Sequence, residues 1–480
     1  MINHKIAGLP PIPSGRKSEA DGHPSQFGPS DIIPSMTNQA APPARPRAGL
    51  RDERAGTDLN LHSSTPSPAP SSDAIFISCL GIAQICSWGS LYYSFPVLAE
   101  AMGRDLGWSK PELYGAATLG LALSGLAAYP VGAAIDKGHG RTIMTGGSVI
   151  AGMLMLAWSQ TSSLIQFYLI FAGIGCLQAA TLYEPAFAVI ARRFGAGRAR
   201  RGITALTLWG GFASTVFIPL TQVLIDQSGW RGALVALGLI NIALCGGLYF
   251  AVIRPSLDPR PPAPPLAARA GAQRQRSALS RAAHTPVFWA LALTFIAYAA
   301  TYSAFTFHLY PMLIERGLDV GTTVAVIAVI GPAQVAGRIA AWMFASNASI
   351  GRVGSFIVTL FPIAFAAIAL LPPSFLAMAG AAALYGAANG IMTIVRGMAV
   401  PEMLSRDAYG AINGALIGPS FLARSVAPLG AAGLWTVTQN YDLVLIAIIA
   451  GAGITAVSFW AAAFSATKPP APGLTGVSPP

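Results

Sequence analysis

Charge is what this sequence has least of. Only 10% of its 480 residues are Asp, Glu, Lys or Arg, while 53% are apolar; a water-soluble chain is usually about a quarter charged. The charge is missing from long blocks rather than thinned evenly. That excludes one large soluble core, because such cores stop growing near ~250–300 residues. Cysteine is scarce as well. Cys79, Cys86, Cys176 and Cys245 are the four, all inside apolar blocks, with no metal spacing and no disulfide framework, and small packing roles are expected of them. Of six histidines, His4, His23 and His62 fall in the first 73 residues, and no His/Glu cluster has metal-site spacing. A glycine-rich phosphate loop with its lysine is also missing. Metal, cofactor, ATP-driven and enzymatic chemistry are therefore not expected. The formal charge of +11 does not point to nucleic acid, because the basic residues lie in gaps between apolar blocks, not in a stripe interleaved with aromatics.

What is present is a series of apolar blocks. They run over 74–98, 112–134, 142–160, 163–191, 202–225, 231–253, 287–313, 320–345, 354–371, 375–399, 411–436 and 443–466. Each is long enough to cross a ~30 Å hydrocarbon core at ~1.5 Å per residue. The pattern predicts an all-α membrane protein with twelve transmembrane helices in two six-helix halves, 74–253 and 287–466. A Pro/Arg-rich cytoplasmic linker, 254–286, joins them. Residues 1–73, rich in Pro, Ser, Ala and Gly, are expected to be a disordered cytoplasmic tail with no signal-peptide core, and 467–480 a second cytoplasmic tail.

Internal symmetry supports the two halves. Gly202 corresponds to Gly410, Pro219 to Pro428, and Gly140-Arg141 to Gly351-Arg352 at a near-constant offset, a mark of secondary transporters. Orientation follows from the basic residues. With the N-terminus inside, inner loops hold fifteen, among them Lys137, Arg141, Arg192, Arg193, Arg254, Arg352 and Arg406, while outer loops hold only Arg104, Lys110, Arg231 and Arg316. Both termini are then cytoplasmic, in a multi-pass protein of the inner cell membrane, and Trp108, Trp158, Trp230 and Trp435 form an outer aromatic belt.

Four ionisable side chains lie deep in the blocks: Glu184, Arg338, Arg396 and Arg424. Each costs ~2.5–3.5 kcal/mol at the bilayer centre, and the four together rival the stability of a domain. They are expected to face a wet cavity or one another, and Tyr183 and Asn389, with Tyr92, Tyr93, Tyr298, Tyr302 and Asn413, to supply polar contacts around them. Each has a plainer reading as a structural pair or hydrogen bond. Pro185 beside Glu184 is expected to kink its helix. His308, near the outer end of its block, titrates near neutrality and is a second candidate proton carrier. Gly410, Gly414 and Gly418 have the spacing of close helix packing.

The loop Gly132-Ala-Ala-Ile-Asp136-Lys137-Gly138-His139-Gly140-Arg141 resembles the signature of the major facilitator superfamily, with one extra residue before Gly140. That resemblance implies a latch in which Asp136 pairs across the cytoplasmic ends of the halves. A narrower resemblance is to its monocarboxylate-porter-like members. It is carried by Tyr93-Ser94-Phe95-Pro96, Glu184-Pro185-Ala186, Gly229-Trp230-Arg231-Gly232, Arg254-Pro255 and Gln334-Val-Ala-Gly337-Arg338. It implies that Arg338 meets a substrate carboxylate. Two positions that serve proton coupling in animal members differ here: Val97 stands for a Lys and Gln334 for an Asp. Thr215-Val216 stand where the antiporter pattern has Gly-Pro.

The expectation is a proton-coupled symporter of a small organic anion such as a monocarboxylate, working by alternating access as a monomer. In it Glu184 pairs with Arg338 when the site is empty, and three arginines against one glutamate favour an anionic substrate. An exporter of drugs or metabolites, or a non-transporting receptor of the same fold, are the alternatives.

Overall fold

The structure, a computed structural model, describes residues 70–257, 279–345, 348–404 and 409–466. The expected tails up to residue 69 and from 467, the linker core at 258–278 and Arg406 lie outside the described residues. The first helix begins at Pro70, within the stretch read as tail.

Among the described residues, ten continuous helical runs are long and apolar enough to cross a membrane. Two of them, Lys110–Ser159 and Arg201–Leu257, are 50 and 57 residues long, about twice the ~20 residues one crossing needs. Each turns back at a glycine in the left-handed region, Gly138 (φ 99°) and Gly229 (φ 69°), a conformation that costs side-chain-bearing residues energy. The runs therefore make twelve crossings. We number them α1 (Ser72–Leu106), α2 (Lys110–Ala134), α3 (Gly140–Ser159), α4 (Leu164–Gly195), α5 (201–228), α6 (230–252), α7 (Pro286–Glu315), α8 (Val320–Phe344), α9 (Ile350–Leu370), α10 (Phe375–Ala399), α11 (Tyr409–Thr438) and α12 (Asp442–Ala466). Local chemistry sets several starts. Ser109 and Glu112 form a reciprocal capping box at α2, and Thr285 and Asp319 cap α7 and α8 by accepting from Phe288 and Thr322 N–H.

Each half is built on its own aromatic core. Phe95, Trp158 and Phe171 meet edge to face in the first, at 5.1 and 4.8 Å; Phe305, Phe365 and Tyr385 meet in the second, at 4.7 and 4.5 Å. Backbones approach closely where glycine permits. Gly175 of α4 lies against the Gly120 carbonyl of α2, and Gly390 of α10 against the Gln334 carbonyl of α8, so the same helix pair is in contact in both halves. Gly414 and Gly418 do not pack this way: nothing lies within 4 Å of where their Cβ would be.

The end carrying Lys137, Arg141 and Arg192 is called the basic end. At the opposite end the halves meet. Tyr114 donates to the Phe307 carbonyl (3.0 Å), Tyr310 to Gln222 Oε1 (2.8 Å), and Lys110 lies over the Trp435 ring at 4.6 Å. The tryptophans expected as a lipid belt stand at this end but turn inward. Trp158 and Trp230 are buried, donating to Met102 Sδ and Asp105 Oδ2. A residue's place near a helix end does not set which face it occupies; the highly exposed tryptophans are Trp289 and Trp342, towards the basic end.

Candidate functional site

The site is assembled from helices that break near the middle of the bundle. In α1, Pro96 has no N–H to give, and the residues before it, Gly89–Tyr93, form a wide π-type turn. Gln178 of α4 donates to the Leu91 carbonyl in that turn at 2.8 Å. The turn presents Tyr92 and Tyr93 to the centre, where the Tyr93 hydroxyl meets that of Tyr302 at 3.2 Å.

In α4, Leu182 is extended (φ −86°, ψ −150°) and the helix restarts at Tyr183 with Glu184 in its first turn. Pro185 again explains the break, because it cannot donate to the preceding turn. The freed carbonyls are taken by α1: Gln84 Nε2 donates to Thr181 O (2.8 Å) and Leu182 O (3.1 Å), and the Tyr249 hydroxyl also reaches Thr181 O (3.2 Å). Glu184 thus sits at a helix N-terminus, where the helix dipole favours a carboxylate. It is exposed, yet within electrostatic reach of Arg396 and Arg424 of the other half. The space between the halves is therefore open towards the basic end.

In α8 the break falls at Val329, and Pro332 leaves the Ala328 carbonyl without its N–H. Thr215 Oγ1 of α5 fills that place at 2.8 Å, so the pair at 215–216 that departs from the antiporter pattern joins the halves. Beyond the break comes Arg338. Its Nη1 donates to the Thr207 carbonyl (2.8 Å) and its Nε to the Gly390 carbonyl (3.2 Å). The expected pairing of Glu184 with Arg338 is not the arrangement here. Arg338 spends those donors on backbone, and Glu184 instead interacts electrostatically with Arg396 and Arg424.

Those two are held by aromatic faces. Arg396 lies 5.6 Å from the Tyr298 ring centre and 5.8 Å from that of Phe295. Arg424 lies 5.1 Å from Tyr92, 5.8 Å from Tyr302 and 5.8 Å from Trp88. The Nε atoms of both are buried without a hydrogen-bond partner. Such ring contacts recover about 0.5–2 kcal/mol, while taking an ion out of water costs several kcal/mol. Each guanidinium thus keeps at least one buried donor that no described residue accepts from.

Asn389 Oδ1 accepts from the Tyr298 hydroxyl at 2.5 Å, and Tyr183 stacks on Phe187 at 5.2 Å, its hydroxyl against Gly210. Gln334 is buried and lines a cavity of about 30 Å³ with Tyr93, Ser214 and Tyr302, room for about one water.

The structure thus brings together Glu184, Arg338, Arg396, Arg424, Tyr183 and Asn389 around Tyr298 and Tyr302. His308 is elsewhere, in the closed end opposite the basic one. Its Nε2 donates to the Pro428 carbonyl (2.9 Å), so Nδ1 accepts from the Tyr441 hydroxyl (3.0 Å), and its ring stacks on Tyr114 at 4.1 Å. The loop 132–141 is also apart, at the basic end. There Arg192 donates to the Asp136 carbonyl, Arg141 covers the Phe250 ring at 3.8 Å and Gly140 packs on Val189, all within the first half. Gln84, Gln178 and Tyr249, which hold the broken helices, were not anticipated; a glutamine inside an apolar block opposite a mid-block proline is the signal that could have found them.

Comparison with known proteins agrees with this architecture. The family profile described as Major Facilitator Superfamily matches residues 80–428. The chain is 33% identical to monocarboxylate transporter 11 of Homo sapiens over 260 residues, 52% of this chain and 50% of that protein. It is 29% identical to monocarboxylate transporter 13 of Bos taurus over 347 residues, 69% of this chain and 74% of that one. The match therefore spans about half the length of the human relative. Among solved structures, a bacterial homologue of the human lysosomal transporter Spinster, inward-facing and unoccupied, aligns with TM-score 0.63 and 13% identity, covering 83% of this chain and 98% of that one. The nucleoside transporter NupG aligns with TM-score 0.59 and 14% identity, covering 83% and 100%. At such identities the likeness speaks for the fold.

Proposed function

This chain belongs to the major facilitator superfamily and is a membrane transporter rather than an enzyme, and we propose that it carries a small organic carboxylate together with protons by alternating access. The observation that carries the reading is that Glu184 of the first half, itself exposed, interacts electrostatically with Arg396 and Arg424 of the second. A guanidinium is suited to a carboxylate through two parallel hydrogen bonds. When a substrate anion settles on the arginines, it takes the place of Glu184 as their counter-charge. Desolvation then favours the neutral acid, and the carboxylate takes up a proton with the substrate. This supplies coupling without the lysine and aspartate that Val97 and Gln334 replace.

In this reading the basic end is cytoplasmic, the structure is inward-open, and the 132–141 loop latches that side when the halves rock. Arg338 completes the anion site, its hold on the Thr207 carbonyl being an inter-half contact that must be exchanged during transport. Similarity to monocarboxylate transporters supports the substrate class.

The test is counterflow and accumulation of radiolabelled carboxylates in proteoliposomes. Glu184→Gln is expected to keep counterflow and lose accumulation driven by a pH gradient. A Glu184→Gln protein that still concentrates substrate under a pH difference alone removes Glu184 as the coupling group.

A further inference from the structure

Three guanidinium groups in one site are more than a single carboxylate needs. Arg338, Arg396 and Arg424 come from α8, α10 and α11, and all three act electrostatically on Tyr298. Tyr298 and Tyr302, one turn apart on α7, stack with ring centres 6.1 Å apart. Arg396 lies against the first ring and Arg424 against the second. Two cations are thus offered beside two neighbouring stacked rings, each with a buried Nε that has no hydrogen-bond partner among the described residues.

Charge balance narrows the ligand further. Three arginines against one glutamate leave a surplus of two positive charges with Glu184 ionised, and three with it protonated. A monoanion leaves at least one charge uncompensated in either case. A dianion brings the site to neutrality, or to within one charge of it, when the halves close and water is excluded. The two guanidinium groups come from different helices, α10 and α11, and lie beside different rings, which suits charges at two ends of a molecule better than one compact tetrahedral oxyanion.

We infer that the site takes a short dicarboxylate, one end held at Arg396 and the other at Arg424, with the body of the molecule against Tyr298 and Tyr302. This rests on the anion-carrier reading above and sharpens it. Arg338, already bound to two carbonyls, sets the general affinity for anions, while Arg396 and Arg424 read the second charge.

The test titrates the full-length protein, purified in detergent at pH 7.5, and follows its thermal stability. The probes are matched pairs, butyrate with succinate and benzoate with isophthalate, and inorganic phosphate as a compact dianion. In at least one pair the dicarboxylate is expected to stabilise at tenfold or more lower concentration than its monocarboxylate, with phosphate no better than the monocarboxylates. Arg396→Gln and Arg424→Gln should each weaken the dicarboxylate tenfold or more and the monocarboxylate by less, so that the two converge. Lysine at either position should restore part of the preference. Equal stabilisation within both pairs by the unaltered protein overturns the dicarboxylate inference and leaves the anion site standing. Phosphate matching the better dicarboxylate overturns the separated-end geometry. No stabilisation by any anion overturns the anion-carrier reading, and this inference with it.

Discussion

The Thr215 hydroxyl of α5 donates at 2.8 Å to the Ala328 carbonyl of α8, the acceptor that Pro332 leaves without a helical partner. One proline in the second half is thus compensated by one side chain of the first. Removing the hydroxyl while keeping the shape, in Thr215→Val, leaves a carbonyl unsatisfied at a cost of about 1–3 kcal/mol. The purified variant should melt several degrees lower, and Thr215→Ser should melt like the parent. Equal melting of the valine variant and the parent would show that water serves that carbonyl.

A second compensation lies at Gln84. Its amide holds the Thr181 and Leu182 carbonyls at the break before Glu184. Gln84→Leu leaves the Leu182 carbonyl unmade and the Thr181 carbonyl with the Tyr249 hydroxyl alone, a loss of about 1–3 kcal/mol, and frees the turn that aims Glu184. Reduced stability and slower counterflow are expected together. Gln84→Glu, whose carboxylate cannot donate to a carbonyl, should fail in the same way.

Gln84 also shows where sequence reasoning stops. The crossings were legible because an apolar run bounded by a capping residue leaves little choice: the block at 375–399 coincides with the helix Phe375–Ala399, capped by Ser374. Glu184, Arg338, Arg396 and Arg424 were legible because a charge in such a run is too costly to be incidental. A glutamine carries no such cost, and its meaning depends on which carbonyl a neighbouring helix has released. The pairing of Glu184 was misread for a similar reason. Arg338 stands beside Gly337, which brings α8 onto Ala387 of α10, and its donors reach backbone before they reach a carboxylate. The tryptophans were misread because position along a helix says nothing of rotation about it.

Orientation can be read directly. In a background without Cys79, Cys86, Cys176 and Cys245, Ser162→Cys and Ser280→Cys place one thiol each at exposed serines. Ser162 stands between α3 and α4, Ser280 just before α7. With the basic end inside, an impermeant thiol reagent added to intact cells should label position 162 and reach 280 only after lysis. Labelling of 280 in intact cells would invert the topology and, with it, the inward-open assignment.

His308 separates gating from coupling. Its two ring nitrogens are engaged by the Pro428 carbonyl and the Tyr441 hydroxyl, and its face by Tyr114 across the halves. A proton carrier must be reachable from water in some state and able to release what it takes up. Here His308 is fully buried, with both ring nitrogens engaged. A second proton on Nδ1 would reverse its bond, with the Tyr441 oxygen accepting and its own proton needing a new acceptor. His308→Gln can still donate to the carbonyl and accept from the hydroxyl, so it should keep accumulation driven by a pH gradient, within about twofold of the parent. His308→Leu leaves both partners unmade, a penalty of about 2–4 kcal/mol. It should lower the melting temperature and loosen the closed end, seen as faster outside labelling of a cysteine placed at Thr306. If His308→Gln instead abolishes accumulation while counterflow persists, the proton passes through His308, and Glu184 belongs to substrate binding alone.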